Sequence, residues 1–307
     1  MYPCQESTLI SRLDGLTLSL LTVLPPAGTP VRRVVQLVHG MAEYKERYLP
    51  LMEYLAGQGC ACVIHDHRGH GKSMEMEEDK GFLYGAGGAG LVADALQVAD
   101  HIREAYPGLP RVLFGHSMGT LVARCMLREH ALCFSAVVLT GPPTRNPAAG
   151  FGLALARFQK GFGPRKKGKL LQAMAFGGYL AKFPESPCAW VCGDPAVVKD
   201  YEEDPMCGFT FTVDGFVGLM ELMSRTYERT GWCCDKPDLP ILFLGGTEDP
   251  CIGGADKFED AMDRLRAVGF RDVSGELFEG MRHEICNEAD KLRVFARIAA
   301  FLEEKAD

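Results

Sequence analysis

The apolar positions of this chain change their period along its length. Apolar-rich runs at 31–38, 60–64, 112–114, 135–139 and 241–244 are short and bounded by Gly, Pro, Asp or His, and 274–278 reads as a further short strand. Runs of that length predict strands buried on both faces. Between them lie stretches with helical spacing, at 46–56, 90–106, 120–130, 255–267 and 289–305. In the first of these, Tyr48, Leu51, Met52 and Leu55 fall on one stripe. Residues 8–24 read as two strands around Asp14-Gly15, a strong hairpin dipeptide. Residues 74–88 are acidic and then glycine-rich, which predicts a loop. Strands alternating with helices predict a mostly parallel sheet covered on both faces.

The rhythm stops over residues 144–235. Strand patterns vanish there, and helical segments at 148–160, 169–182, 195–202 and 213–228 are separated by Gly and Pro. The expected organisation is an α/β core from 1–143 and 236–307, with 144–235 inserted as a helical cap.

Composition narrows the picture. The 307 residues are 47% hydrophobic and 24% charged, enough apolar material for a large core. A net charge of −7 argues against nucleic acid as the main partner. No apolar run is long enough for a spanning helix, and residues 1–7 lack the basic-then-apolar order of a signal peptide. Of the 12 cysteines, Cys60, Cys62, Cys125 and Cys133 lie inside apolar patterns, and none shows paired zinc spacing. Free thiols in a reducing cytoplasm are expected, with no metal site and no cofactor. The run Arg165-Lys166-Lys167-Gly168-Lys169 reads first as a solvated turn. Its second reading is a transient contact with lipid phosphate or a membrane surface.

The chemistry centres on Gly115-His116-Ser117-Met118-Gly119, which follows the apolar run Val112-Leu113-Phe114 and precedes a helix. Strand, tight turn and helix with serine at the apex is the context of a G-x-S-x-G nucleophile elbow. The glycines on either side of the serine are needed where backbone passes too close for a Cβ. Serine is a weak nucleophile at neutral pH and needs a base, itself oriented by an acid. In an open parallel sheet these must come from the carboxyl ends of strands. Asp249, in Gly245-Gly246-Thr247-Glu248-Asp249-Pro250, follows one strand, and His283 follows the next. The order Ser117, Asp249, His283 is the one that accompanies such an elbow. The backbone N–H groups of Met118, at the start of a helix, and Met41, after the strand ending at His39-Gly40, are the candidate oxyanion donors. Gly69-His70-Gly71-Lys72-Ser73 looks like the tail of a phosphate-binding loop, but Asp66 stands where the upstream glycine should be.

Five pieces of the chain resemble one family. They are His39-Gly40-Met41-Ala42-Glu43 with Arg47-Tyr48, Asp66 to Ser73, Gly115 to Gly119, Gly246-Thr247-Glu248-Asp249-Pro250, and Phe278-Glu279-Gly280-Met281-Arg282-His283-Glu284. Together they resemble the α/β-hydrolases of the monoacylglycerol lipase and lysophospholipase group, the serine-aminopeptidase-like hydrolases. Residues 194–205 resemble the cap of the lysophospholipase-type members. The resemblance implies an α/β-hydrolase fold, a Ser-His-Asp triad, and a mobile lid over an acyl pocket. One departure is Tyr44, where many members carry histidine.

The cap is rich in large apolar residues, more than a small cap can bury against itself. Phe151, Leu155, Phe158, Met174, Phe216 and Met220 are the expected lining of an acyl cleft. The activity expected is hydrolysis of a small-molecule acyl ester, such as a monoacylglycerol or lysophospholipid. An aminopeptidase or amidase of the same fold is the alternative, with Glu202, Glu203 and Asp204 to hold a free amine. A non-catalytic binding protein on the same fold is the third.

Overall fold

The computed structural model describes residues 2–306. It has eight strands in one sheet, in the order β1-β2-β4-β3-β5-β6-β7-β8. β1 (Cys4–Ile10) and β2 (Thr17–Val23) form the expected hairpin, and β2 pairs antiparallel with β4 (Cys60–His65). From β4 onward every pairing is parallel, through β3 (Arg33–Val38), β5 (Arg111–His116), β6 (Ala136–Thr140), β7 (Ile241–Gly246) and β8 (Val273–Phe278).

The central strands read as unbroken apolar runs because both faces are covered. Val112 and Phe114 of β5 pack on one side with Leu51 and Met52 of α1 (Leu49–Gly57) and Phe295 and Ile298 of α9 (Lys291–Lys305). Leu113 points the other way, into a cluster with Leu91 of α2 (Gly87–Ala105), Leu121 of α3 (Met118–His130) and Met262 of α8 (Ala255–Ala267). Period-2 alternation thus divides one strand between two apolar layers.

Residues 144–235 fall between β6 and β7 and hold four helices. These are α4 (Ala149–Lys160), α5 (Lys169–Lys182), α6 (Pro195–Glu203) and α7 (Val213–Tyr227). α7 is locked to the core. Thr212 Oγ1 caps it, accepting from Gly215 N–H at 3.1 Å, and donates to Gly81 O at 2.8 Å. Buried Asp214 accepts from Leu83 and Gly85 N–H, both at 3.1 Å. Helix α2 begins at Gly87, earlier than its composition suggests. A Cβ on Gly88 would lie 2.7 Å from Gly218 O of α7, so this glycine serves close helix packing rather than a loop. The acidic stretch before it contains a single 3-10 turn, Glu77–Asp79. No helix among the described residues is long and apolar enough to cross a membrane. The twelve cysteines are free thiols.

Candidate active site

Ser117 stands between β5 and α3 at φ 50° and ψ −119°, a sparsely populated conformation for a residue with a Cβ. Such a residue costs about 1–3 kcal/mol, and the surrounding packing must enforce it. Here the enforcement is visible. A Cβ on Gly115 would lie 2.7 Å from Gly119 O, and one on Gly119 would run into Val38 O. Ser117 N–H donates to Thr140 O at 3.0 Å, stitching the elbow to β6. Ser117 Oγ makes no hydrogen bond among the described residues and lines a cavity of about 510 Å³.

His283 lines the same cavity. Its Nδ1 is 2.8 Å from Asp249 Oδ2, and Asp249 Oδ1 accepts from Cys251 N–H at 2.8 Å. Both side chains are buried. Burial works against the imidazolium, but the Asp249 carboxylate outweighs it and holds the His283 pKa well above the ordinary histidine value. The structure thus brings Ser117 and His283 to one cavity, with Asp249 behind the imidazole. Sγ of Cys251 joins Asp249 and His283 in a group whose donor atoms lie within 4.8 Å of one another. These atoms could approach a metal, but the carboxylate and imidazole are already bonded to each other.

The loop after β3 shows which amides are free. Gly40 N–H donates to Glu43 Oε1 at 2.5 Å, and Ala42 N–H donates to His70 Nε2 at 3.2 Å. Met41 N–H, between them, has no acceptor among the described residues and borders the cavity. Met118 is the first residue of α3, so its N–H has no acceptor within the helix. These are the two amides expected as oxyanion donors.

His39, His67 and His70 serve the scaffold. His67 N–H donates to His39 Nε2 at 2.9 Å, so the His39 proton sits on Nδ1 and is donated to Gly40 O at 2.8 Å. By the same logic His70 donates from Nδ1 to Arg68 O at 3.0 Å, and burial pushes its pKa down to about 4. Burial and the neighbouring His283 push His116 down to about 3. Asp66 is also structural. Its carboxylate takes Lys45 Nζ at 2.6 Å and the N–H groups of Lys45 and Lys72, filling the turn that resembled a phosphate loop. Arg47 grips Glu284 with two contacts at 2.6 Å and Glu43 with one at 3.2 Å. Burial and the Glu284 charge push Glu43 up to about 7.

The cavity lining corrects the sequence expectation for the cap. Met174 and Met220 do line it. Phe151 and Phe158 are 66% and 67% exposed on α4, facing water. Leu155, half-buried, packs on the core cluster, and Phe216 is fully buried beside Phe211 and Gly168. Neither borders the cavity. Its aromatic wall is Phe176, Tyr179 and Trp190, with Phe209 further along. Trp190 stacks on Phe176 at 5.9 Å and lies 5.1 Å from the His283 ring. The sequence expectation missed Phe176 and Tyr179, although their i, i+3 spacing on a predicted helix puts them on one face. Trp190 lies outside every predicted element and gave no such signal.

A serine on a strained strand–helix elbow, beside an imidazole–carboxylate pair on an eight-stranded mostly parallel sheet, defines a serine hydrolase of the α/β-hydrolase fold. The model of the serine aminopeptidase S33 family matches residues 29–290. Human monoglyceride lipase is 36% identical over 270 residues, covering 86% of this chain and 78% of that protein. The monoacylglycerol lipase of Mycolicibacterium smegmatis is 26% identical and covers 89% of each. A thermostable carboxyl esterase from Bacillus coagulans, solved with glycerol, superposes with a TM-score of 0.86 at 26% identity and full coverage of both chains. The chain belongs to the serine aminopeptidase S33 family of α/β-hydrolases.

Proposed function

We propose that this hydrolase cleaves carboxylic esters of medium-to-long acyl chains, of the monoacylglycerol or lysophospholipid kind, through an acyl-enzyme on Ser117. The observation that carries this reading is the opening of Ser117 and His283 onto one cavity whose roof is the apolar cap. His283 takes the Ser117 hydroxyl proton as Oγ attacks the carbonyl carbon, and Asp249 stabilises the imidazolium that forms. The carbonyl oxygen gathers negative charge against the N–H groups of Met41 and Met118. His283 then returns the proton to the departing alcohol. Water, deprotonated by the same imidazole, releases the fatty acid and restores Ser117. The test is labelling with a fluorophosphonate, mapped by mass spectrometry, beside turnover of a monoacylglycerol. Label on Ser117 and fatty-acid release are expected. Turnover with Ser117 unlabelled would refute the assignment.

The aminopeptidase alternative loses its proposed amine anchor. Glu202 accepts from Cys188 N–H at 3.1 Å, Asp204 from Tyr44 at 2.8 Å, and Glu203 lies 3.8 Å from Lys199. None of the three lines the cavity. The outer face of α4 and α5 supports the membrane-surface reading. It exposes Phe151, Phe158, Phe162, Leu170 and Leu180 to water. The basic run contributes less, because Arg165 pairs with Asp79 and Lys167 Nζ donates to Lys80 O at 2.5 Å. Flotation with anionic vesicles tests this contact. Co-flotation lost in Phe158→Ser would support it, and no flotation of the wild type would remove it.

A further inference from the structure

The four peptide planes that lead into the candidate oxyanion loop are pinned one after another. Gly40 N–H is held by Glu43, and His39 O takes His67 Nε2 at 3.2 Å. Gly40 O is held by His39 Nδ1 at 2.8 Å. A trans peptide places C=O and N–H on opposite sides, so that bond also sets the direction of Met41 N–H. Ala42 N–H is held by His70. Every pin so far comes from the core.

The last plane is different. Ala42 O accepts from Tyr201 Oη at 3.1 Å and from Gly208 N–H at 3.0 Å. Tyr201 lies in the final turn of α6 and Gly208 lies just beyond it, so both donors belong to the cap. Ala42 itself sits at φ 55°, a left-handed conformation that a residue with a Cβ holds only when its neighbours enforce it. Tyr201 is buried, and the Arg47 guanidinium lies 4.7 Å over its ring. Tyr44 Oη reaches Asp204 Oδ2 at 2.8 Å and ties the same cap segment to the same loop a second time.

We propose that the cap segment 201–208 is a strut for the oxyanion hole, with Tyr201 as a positioning residue that holds the Met41 amide in register through Ala42. The proposal rests on the serine-hydrolase reading above and adds a role for the cap beyond enclosing substrate. A cap that lifts from the core releases Ala42 O and loosens Met41 with it. Cap closure and transition-state stabilisation then become one event.

Tyr201→Phe deletes the hydroxyl and keeps the ring. Losing an oxyanion donor outright costs about 10²–10³ in rate, so loosening one should cost about tenfold in kcat on p-nitrophenyl butyrate. KM and the thermal midpoint should stay at wild-type values. Affinity for a boronic acid, which forms an anionic tetrahedral adduct on the serine, should fall by the same factor as kcat. A residue that merely stabilised the cap would move the midpoint or KM instead. If Tyr201→Phe does not fold, Asp204→Ala unties the same segment, and kcat and boronic-acid affinity must fall together in it. A folded variant with wild-type kcat and wild-type boronic-acid affinity overturns the strut. Ser117→Ala is assayed alongside. An active Ser117→Ala overturns the hydrolase reading itself. An inactive one beside an unimpaired Tyr201→Phe overturns the strut alone.

Discussion

The elbow around Ser117 and the outer half of the cap are built on opposite terms. At the elbow, adjacent backbones leave no room for a Cβ on Gly115 or Gly119, and the strands on either side are buried on both faces. On α4 and α5, Phe151, Phe158, Leu170 and Leu180 lie more than half exposed. The first region fixes one geometry and the second leaves apolar surface without a partner. Chemistry needs atoms held in place, whereas these four side chains face water away from the cavity and meet no such demand. Between the two lies α7, which belongs to the cap in sequence and packs on both cap helix α4 and core helices α2 and α3.

The largest effect should come from the rigid side. Asp249→Asn leaves the shape of the pair but removes the charge that orients His283, and kcat should fall about 10⁴-fold. The same charge shapes the pH profile. A base must be neutral to act, so a raised His283 pKa means that kcat/KM falls as pH drops through a value above about 6.5. In Asp249→Asn the residual activity should have its acid limb at lower pH. An unchanged limb would show that His283 is not the titrating base.

Two phenylalanines of the cap sharpen the contrast within it. Phe216→Ala should cost about 3–5 kcal/mol in chemical denaturation, because the ring is fully enclosed against Phe211. A cost below about 1 kcal/mol would show that α7 is not part of the core. Met220→Trp should fill the cavity from its cap side and shift ester preference towards shorter acyl chains. Each methylene excluded is worth about 1–3 kcal/mol in kcat/KM. An unshifted profile would place the acyl chain elsewhere. Phe158→Ser should change stability by no more than about 0.5 kcal/mol, since its ring packs chiefly on exposed Phe162.

The same contrast decides what sequence alone could reveal. The parallel strands were legible because strands buried on both faces leave unbroken apolar runs. Ser117 and Asp249 could be read as candidates because each follows such a run at the sheet's carboxyl edge, and His283 because it follows the last short strand in the order that accompanies the elbow. Met41 was legible as a position, but the reason is spatial. Its neighbours' amides are engaged by Glu43 and by His70, 28 residues along the chain. In the cap, α4 and α5 carry apolar residues on more than one face, so period cannot say which face meets the cavity. Phe158 and Met174 look alike in sequence and end on water and on the cavity edge. Phe216 was misplaced for a related reason. It belongs to a helix that packs on α4 and also on α2 and α3, some hundred residues upstream.

Hydrolysis of p-nitrophenyl esters from acetate to palmitate, wild type beside Ser117→Ala, tests the central claim most directly. The account predicts a medium-chain or longer optimum in the wild type and, in the variant, loss of about 10⁴-fold or more. Equal activity in the two proteins would contradict it.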